Sequence, residues 1–159
     1  MESHFTPPDD LFLKLLRRFQ EEGVEYVLVG GQAVRLNGFV RATEDVDVLL
    51  KPGRNNGEKI IRALSFLPAS SALDPSWFES LPGGELENIR VADDLLVDLL
   101  FAANGQTLEG LASYIVQIQI EGVEVQVLNI DGLLKTKTDF REKDILDKAV
   151  LMRLRDGLN

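Results

Sequence analysis

Residues 26–50, YVLVGGQAVRLNGFVRATEDVDVLL, constrain the fold more than any other part of the chain. The apolar run that opens this stretch predicts a buried strand, Tyr26–Val29, which ends at a pair of glycines. A short helix is predicted over residues 32–36, and a second strand is predicted to begin near Glu44. The glycine pair therefore marks a turn from strand to helix, and the second strand carries the most unusual charges of the chain.

This second strand contains Asp45, Val46, Asp47 and Val48 in succession. Side chains two residues apart in a strand point to the same face, so the two aspartates share one face and the two valines share the other. Neighbouring carboxylates repel each other unless a cation lies between them or one of them is protonated. Mg²⁺, an octahedral ion with oxygen ligands, suits this pair, and the structural alternative is a solvent-exposed pair at a strand edge.

Gly30 and Gly31 can supply a second part of such a site. Glycines allow another backbone or a ligand to approach closely, and the N–H groups at a helix N-terminus bind phosphate well. An ordinary strand-to-helix turn is the structural alternative for this pair.

Composition narrows the class of protein. The 159 residues suit a single domain, 1–159, and 45% of them are hydrophobic. The chain has no cysteine and its only histidine, His4, lies near the N-terminus, which excludes a thiolate or histidine zinc site. No apolar run is long enough to span a membrane and the first residues lack a signal-peptide pattern, so we expect a cytoplasmic protein without membrane contact. The net charge of −9 favours a small-molecule or protein partner over a long nucleic acid.

The rest of the chain predicts further strands and helices. Residues 9–22 form one helix with a single apolar stripe, and a last helix begins at Arg141 or Glu142 and turns Leu146, Val150 and Leu154 inward. Further helices are predicted over residues 58–67, 108–113 and 130–138, and further strands over residues 86–92, 95–101, 115–120 and 123–128. The expected fold class is α/β (α+β), a mixed twisted sheet of five or six strands with helices mainly on one side.

Asp98 lies in the middle of the strongly apolar run LLVDLLF. An isolated buried carboxylate is costly, so this side chain needs a partner. A structural carboxylate bonded to Arg41 or to a backbone amide is one reading, and a ligand role is the other. Asp93 and Asp94 are alternative acidic residues, but they fit the turn before this strand better.

These motifs resemble the polymerase-β-type nucleotidyltransferase superfamily, in which an apolar strand and Gly-Gly precede Asp-x-Asp flanked by aliphatic residues. The run G-x-x-R-x-T-x-D-x-D, residues 38–47, is similar to small bacterial proteins related to abortive-infection (toxin-like) nucleotidyltransferases. The resemblance implies a nucleotidyltransferase fold and Mg²⁺-dependent transfer of a nucleoside monophosphate from a nucleoside triphosphate to an acceptor. We expect transfer of AMP from ATP.

The resemblance also implies roles for the acidic residues and the glycines. A third carboxylate on a neighbouring strand faces the Asp-x-Asp pair in this superfamily, and Asp98 matches it. Asp45, Asp47 and Asp98 would then be catalytic and would hold two Mg²⁺ ions, with Asp98 nearer the acceptor hydroxyl. Gly30 and Gly31 would hold phosphates of the triphosphate.

Cationic and hydroxyl side chains complete the predicted nucleotide site. Arg41 and Thr43 precede the aspartates, and Arg41 could either neutralise the triphosphate or brace Asp45. Lys137 begins a K-x-x-x-R-x-K-D-x-x-D pattern found in the toxin-like branch, and the resemblance implies that it touches the triphosphate. Three more residues match this pattern without a clear role: Arg141, Asp144 and Asp147. The two aspartates suit a helix start and an ion pair.

Two alternatives to this function remain at the level of sequence. One is a non-catalytic or partner-dependent toxin–antitoxin interaction protein on the same scaffold, because no second, acceptor-binding domain is recognisable. The other is an antibiotic-modifying nucleotidyltransferase, because the small drug-modifying enzymes share the superfamily motif. A homodimer and an antitoxin are the protein partners that these alternatives imply.

Overall fold

The computed structural model describes residues 7–38, 45–80, 86–138 and 141–157, with side chains described from residue 11 onwards. Three 3-10 turns, Pro68–Ala72, Pro75–Phe78 and Ala112–Tyr114, connect the main elements. Among these residues, no helix has the length and apolar character needed to cross a bilayer. The elements are α1 (Pro7–Glu22), β1 (Tyr26–Val29), α2 (Gly30–Leu36), β2 (Asp45–Leu50), α3 (Arg54–Ala63), β3 (Ile89–Ala92), β4 (Leu96–Leu100), β5 (Ile115–Ile120), β6 (Val123–Leu128), α4 (Ile130–Lys135) and α5 (Glu142–Arg155).

The six strands form one mixed sheet in the order β3-β4-β2-β1-β6-β5. β1 and β2 are antiparallel at its centre, and each has a parallel partner on its other side, β6 and β4 respectively. The outer strands β3 and β5 pair antiparallel with their neighbours. This sheet confirms the predicted α/β fold class, and the bounds of β1, β5 and β6 agree with the predicted ones.

The core lies where the apolar pattern places it. The helix α1 buries its predicted stripe and packs on α3 and β6. In β2, Val46 and Val48 are fully buried, whereas the two aspartates that alternate with them are only half-buried. Burial of each such aliphatic side chain contributes about 1.5–3 kcal/mol. Val46 and Val48 thus belong to the core, whereas the opposite face of β2 carries the two aspartates and then the fully buried Leu49. The stripe of α1 consists of Phe12, Leu15, Leu16 and Phe19.

Several local predictions were wrong, among them the end of α3, which lies at Ala63 rather than at Leu67, and the start of β3, which lies at Ile89 rather than at Leu86. The helix predicted over residues 108–113 is only the short 3-10 turn Ala112–Tyr114, and α3 begins at Arg54 rather than at Glu58. The start of α3 is explained by Asn56, whose side chain bonds the backbone of Glu25 and Lys51 and so orders the residues after the second strand.

The rotation of α5 about its axis also differs from the prediction. Leu146 was predicted to point inward, but it is 62% exposed. Val150 and Leu154 are half-buried, and the fully buried residues of α5 include two carboxylates, Asp144 and Asp147. The hydrogen bonds that these carboxylates make set the rotation of the helix, because a buried carboxylate without partners would be very costly.

Candidate functional site

Register in the sheet brings the predicted acidic residues into one row. Asp47 on β2 lies opposite Asp98 on the parallel strand β4, and Asp98 lies opposite Arg90 on the antiparallel strand β3. Paired residues on neighbouring strands project to the same face, so these three side chains adjoin one another. Asp45 is two residues before Asp47 and shares its face. We call Asp45, Asp47 and Asp98 the acidic row.

Crowding within the acidic row changes its protonation. Burial raises the pKa of Asp47 to about 6, and the charge of Asp98, a hydrogen bond to Asp98 and the charge of Asp45 act in the same direction. The positive charge of Lys143 partly opposes this increase in pKa. Hydrogen bonds from Arg90 lower the pKa of Asp98. The raised pKa of Asp47 therefore shows the repulsion expected between adjacent carboxylates, whereas a neighbouring cation stabilises the charged form of Asp98.

That cation is the guanidinium of Arg90. Its Nε lies 2.7 Å from Oδ1 of Asp98, and its terminal nitrogen lies 2.9 Å from Oδ2 of the same carboxylate. The same terminal nitrogen lies 3.3 Å from Oδ2 of Asp45. Sequence reasoning considered Arg41 as the brace of Asp45 and did not consider Arg90. An opposite charge in the preceding predicted strand was the available signal, because such charges attract across strand pairs.

Gly30 gives Asp47 the space that it occupies. Val29 lies opposite Asp47 in the β1–β2 pair, so Gly30 follows directly beside the carboxylate. A Cβ atom on Gly30 would overlap Oδ2 of Asp47, and the φ angle of +68° also favours glycine. Gly31 is buried in the first turn of α2. Gly30 is thus required for the acidic row, in addition to any contact with phosphate.

The opposite wall of the site consists of residues 136–138, which follow α4, and of residues at the start of α5. Lys137 is only 7% exposed, and its ammonium lies 3.2 Å from Oδ2 of Asp147. Asn104 donates hydrogen bonds to the backbone carbonyls of Lys135 and Lys137, at 3.2 and 2.9 Å. These contacts hold Lys137 in place, as an ion-paired residue rather than a solvated one.

Asp144 stabilises the same wall. Its Oδ2 accepts hydrogen bonds from the backbone N–H and the hydroxyl of Thr138, at 3.0 and 2.8 Å. Burial opposes ionisation of Asp144, but these hydrogen bonds prevail and lower its pKa. The structural roles predicted for Asp144 and Asp147, a helix start and an ion pair, agree with these contacts. We call the wall formed by Lys137, Thr138, Arg141, Lys143 and Asp144 the basic wall.

A cleft of about 500 Å³ separates the acidic row from the basic wall. This volume lies within the range of small-molecule sites. The structure thus brings six of the predicted site residues to one cleft, whereas Arg41 and Thr43 lie outside the described residues. Sequence reasoning gave no role to Asn88, Arg90 or Lys143, which also line it. The six predicted residues are Gly30, Gly31, Asp45, Asp47, Asp98 and Lys137.

The acidic row has the right donors for a hard divalent cation. Its carboxylate oxygens are the ligand type that Mg²⁺ prefers. As the side chains stand, no group of three or more acidic, histidine or cysteine residues in the described part has the arrangement of a metal centre. The guanidinium of Arg90 engages oxygens of both Asp45 and Asp98 in this arrangement. The acidic row thus fits the ion in the chemistry of its ligands.

Comparisons with solved structures identify the architecture. The chain resembles TM1012 of Thermotoga maritima, an inferred nucleotidyltransferase, at 17% identity, with 97% of this chain and 91% of that one covered and a TM-score of 0.54. It resembles an antigenic nucleotidyltransferase-like protein of Paracoccidioides brasiliensis at 18% identity, with 92% and 76% covered and a TM-score of 0.53.

A third similar structure is ANT(2″)-Ia in complex with adenylyl-2″-tobramycin, at 18% identity, with 96% of this chain and 97% of that one covered and a TM-score of 0.55. No protein-family model matches the sequence, and no curated protein is significantly similar to it. At these identities the likeness establishes the fold. The chain has the fold of the nucleotidyltransferase superfamily.

Proposed function

We propose that the protein is a nucleotidyltransferase that transfers AMP from ATP to a hydroxyl group of an acceptor. One observation carries this proposal: three carboxylates on two neighbouring strands face a basic wall across a cleft of about 500 Å³. A triphosphate with its divalent ions complements both walls, because the ions neutralise the acidic row and the phosphates meet the basic wall. The nucleotidyltransferase fold agrees with this assignment.

In this proposal, Asp45, Asp47 and Asp98 hold two Mg²⁺ ions. When bound, these ions polarise the α-phosphate and stabilise charge on the attacking and leaving oxygens. The acceptor oxygen forms a bond to the α-phosphorus, and the bond between that phosphorus and the pyrophosphate oxygen breaks. The acceptor proton passes to the carboxylate of Asp98, the member of the acidic row that is expected to lie nearest the acceptor hydroxyl.

Charged groups on the other side of the cleft are proposed to position the triphosphate. Arg141 and Lys143 are exposed and line the cleft, so they can approach the leaving pyrophosphate. Lys137 is fixed by Asp147 and lends its charge from a buried position. The backbone of Gly30 and Gly31 borders the same cleft and can approach phosphate oxygens closely. Phosphate contacts of Arg41 and Thr43 remain predictions from sequence.

The class of acceptor is inferred from the net charge of the protein rather than from the shape of the cleft. A net charge of −9 disfavours a long nucleic acid and favours a small molecule or a protein hydroxyl in the cytoplasm. Antibiotic modification is the second candidate, because the similar structure of ANT(2″)-Ia contains an adenylylated tobramycin and spans nearly the same length. A non-catalytic toxin–antitoxin protein has less support, because a crowded acidic row is costly and serves no evident structural purpose. A homodimer and an antitoxin partner both remain predictions.

Transfer of label tests the proposal. The protein is incubated with ATP labelled at the α-phosphate, Mg²⁺ and a panel of acceptors comprising an amino sugar, a lincosamide, tRNA and protein. We expect label to move to one acceptor class, and we expect Asp47→Asn to reduce the rate by about 10²–10³-fold, the loss typical of removing one electrostatic group of an active site. Arg62→Gln on α3 serves as the control and should transfer at the wild-type rate.

The proposal fails if the wild-type protein binds ATP without any dependence on Mg²⁺, or if Asp47→Asn transfers label as fast as the wild type. Failure of every acceptor, with Mg²⁺-dependent ATP binding retained, would instead direct the search to other hydroxyl acceptors.

A further inference from the structure

We propose that Arg90 is an internal counter-ion that competes with divalent metal for the acidic row. Its guanidinium pairs with Asp98 and Asp45 in the metal-free protein and withdraws when an ion binds there. This inference rests on the proposed function, since it assumes that the acidic row is a metal site. Arg90, on the edge strand β3, would thus control how tightly the acidic row binds a metal ion.

The first argument is that Arg90 uses the oxygen atoms that an ion needs. Both oxygens of Asp98 accept from it, at 2.7 and 2.9 Å, and Oδ2 of Asp45 lies 3.3 Å from the same guanidinium. Arginine has five N–H donors and no acceptor, so it cannot itself ligate a cation. A cation bound at these oxygens would also be repelled by the guanidinium. Arg90 and a divalent ion therefore exclude each other.

The second argument is that Arg90 is free to leave. It lies on the outer strand β3, and its side chain remains 56% exposed while it makes these contacts. The pair with Asp98 is two-pronged, but the guanidinium itself is open to solvent, so water can replace the contacts that it loses. The guanidinium can thus rotate away without burying a charge or opening the core, whereas the backbone register of β3 and β4 stays unchanged.

The third argument is that a destination exists beside the cleft. A second groove of about 520 Å³ shares Asn88 and Arg90 with the cleft. Its lining includes two carboxylates, Glu79 and Glu87. Glu79 is already paired with Arg54, at 3.6 Å, so Glu87 is the carboxylate of this groove that Arg90 can approach. Arg90 would therefore exchange the acidic row for a more open carboxylate.

Competition of this kind has a measurable consequence. The acidic row of the wild-type protein must lose an ion pair before it binds an ion, so its intrinsic metal affinity is reduced by that amount. Removal of the guanidinium should increase the affinity, even though the substitution deletes three contacts. A residue that merely braced Asp98 in a ligating position would have the opposite effect.

Binding of Mn²⁺ without nucleotide tests this inference. Free Mn²⁺ is measured by electron paramagnetic resonance at pH 7.5 in titrations of the wild type, Arg90→Gln, Arg90→Lys and Arg62→Gln. We expect Arg90→Gln to bind Mn²⁺ about tenfold more tightly, since a unit positive charge close to the site has been removed. Arg90→Lys keeps the charge without the two-pronged geometry, so its affinity should lie between the two.

Arg62→Gln is a matched control, because Arg62 is also 56% exposed and also ion-paired, at 2.8 Å from Glu22, but lies far from the acidic row on α3. It should bind Mn²⁺ like the wild type. Circular dichroism spectra confirm that each variant is folded before the titration.

The outcomes separate this inference from the proposed function. Equal or weaker Mn²⁺ binding by Arg90→Gln, with clear binding by the wild type, overturns the role of Arg90 and leaves the metal site intact. Absence of Mn²⁺ binding in both the wild type and Arg90→Gln overturns both. Tighter binding by Arg90→Gln that is abolished by adding Asp47→Asn supports both.

Discussion

The two walls of the cleft differ in how their charged side chains are arranged. In the acidic row, rigid neighbouring strands force like charges together, and burial with these charges raises the pKa of Asp47 to about 6. In the basic wall, the ammonium of Lys137 is matched by Asp147, and both side chains are less than 9% exposed. The acidic row thus contains repulsion that a bound cation can relieve, whereas the buried cation of the basic wall already has its counter-ion. Substitutions should therefore separate binding from stability along this division.

The largest effect on stability is expected in the basic wall. Lys137→Met removes the ammonium that pairs with the buried carboxylate of Asp147, and breaking a buried pair on one side costs about 3–5 kcal/mol. Urea unfolding followed by circular dichroism measures this loss. The double variant Lys137→Met/Asp147→Leu removes both charges and should recover most of the stability. A single variant as stable as the wild type would show that the pair is open to water.

The acidic row should respond to pH in a direction opposite to that of most carboxylates. The pKa of Asp47 is raised from 3.8 to about 6, so the folded protein holds its proton more tightly than the unfolded chain. Its contribution to stability is complete below pH 3.8 and is lost as the pH rises through 6. The free energy of unfolding should fall over this interval by up to about 3 kcal/mol.

Urea unfolding of the wild type and Asp47→Asn in EDTA, at several values between pH 4 and 7, isolates this contribution. Asp98 has a lowered pKa, so its own effect has the opposite sign and lies below pH 3.8. Asp47→Asn should lack the decrease and should be the more stable protein at pH 7. Parallel curves for the two proteins would mean that the acidic row is not under repulsive stress.

A glycine comparison tests how tightly the acidic row is packed. Gly30 and Gly23 have the same φ angle of +68°, but a Cβ atom would overlap Asp47 at Gly30 and would meet open space at Gly23. Gly23→Ala should cost about 1 kcal/mol through backbone strain alone. Gly30→Ala should cost about 1–3 kcal/mol more, because a well-packed group must move. Thermal unfolding measures both, and equal losses would indicate that Asp47 relocates easily.

The smallest effect is expected on the outer face of α5, which belongs to neither wall. Leu146 is 62% exposed, so Leu146→Lys should change the free energy of unfolding by less than about 0.5 kcal/mol. Leu151→Ala, a substitution of a fully buried leucine on the same helix, should cost about 2–5 kcal/mol. If Leu146→Lys instead destabilised the protein more than Leu151→Ala in urea unfolding, the helix rotation predicted from sequence would be correct.

Prediction from sequence succeeded where the decisive forces are local. The alternation of valine and aspartate in β2 placed Asp45 and Asp47 on one face, because strand geometry gives adjacent side chains opposite directions. The neighbouring position of Asp98 came from the family resemblance, and the register of β2 and β4 agrees with it. The bounds of α5 were predicted correctly, but its inward face was not, because hydrogen bonds that Thr138 and Lys137 donate to two buried carboxylates outweigh the apolar pattern of the helix.

The sequence by itself thus determined the strands, the glycine turn and the shared face of the paired aspartates, since each depends on residues that are close in the chain. Only the tertiary structure decided that Arg90 neutralises part of the acidic row and that Lys137 is buried against Asp147. These pairs join different elements, and their formation depends on the desolvation of charges that only packing creates. The ion-pair partner of a carboxylate cannot be identified from its neighbours in the sequence. The balance of charges in each wall is therefore set only when the sheet packs with α4 and α5.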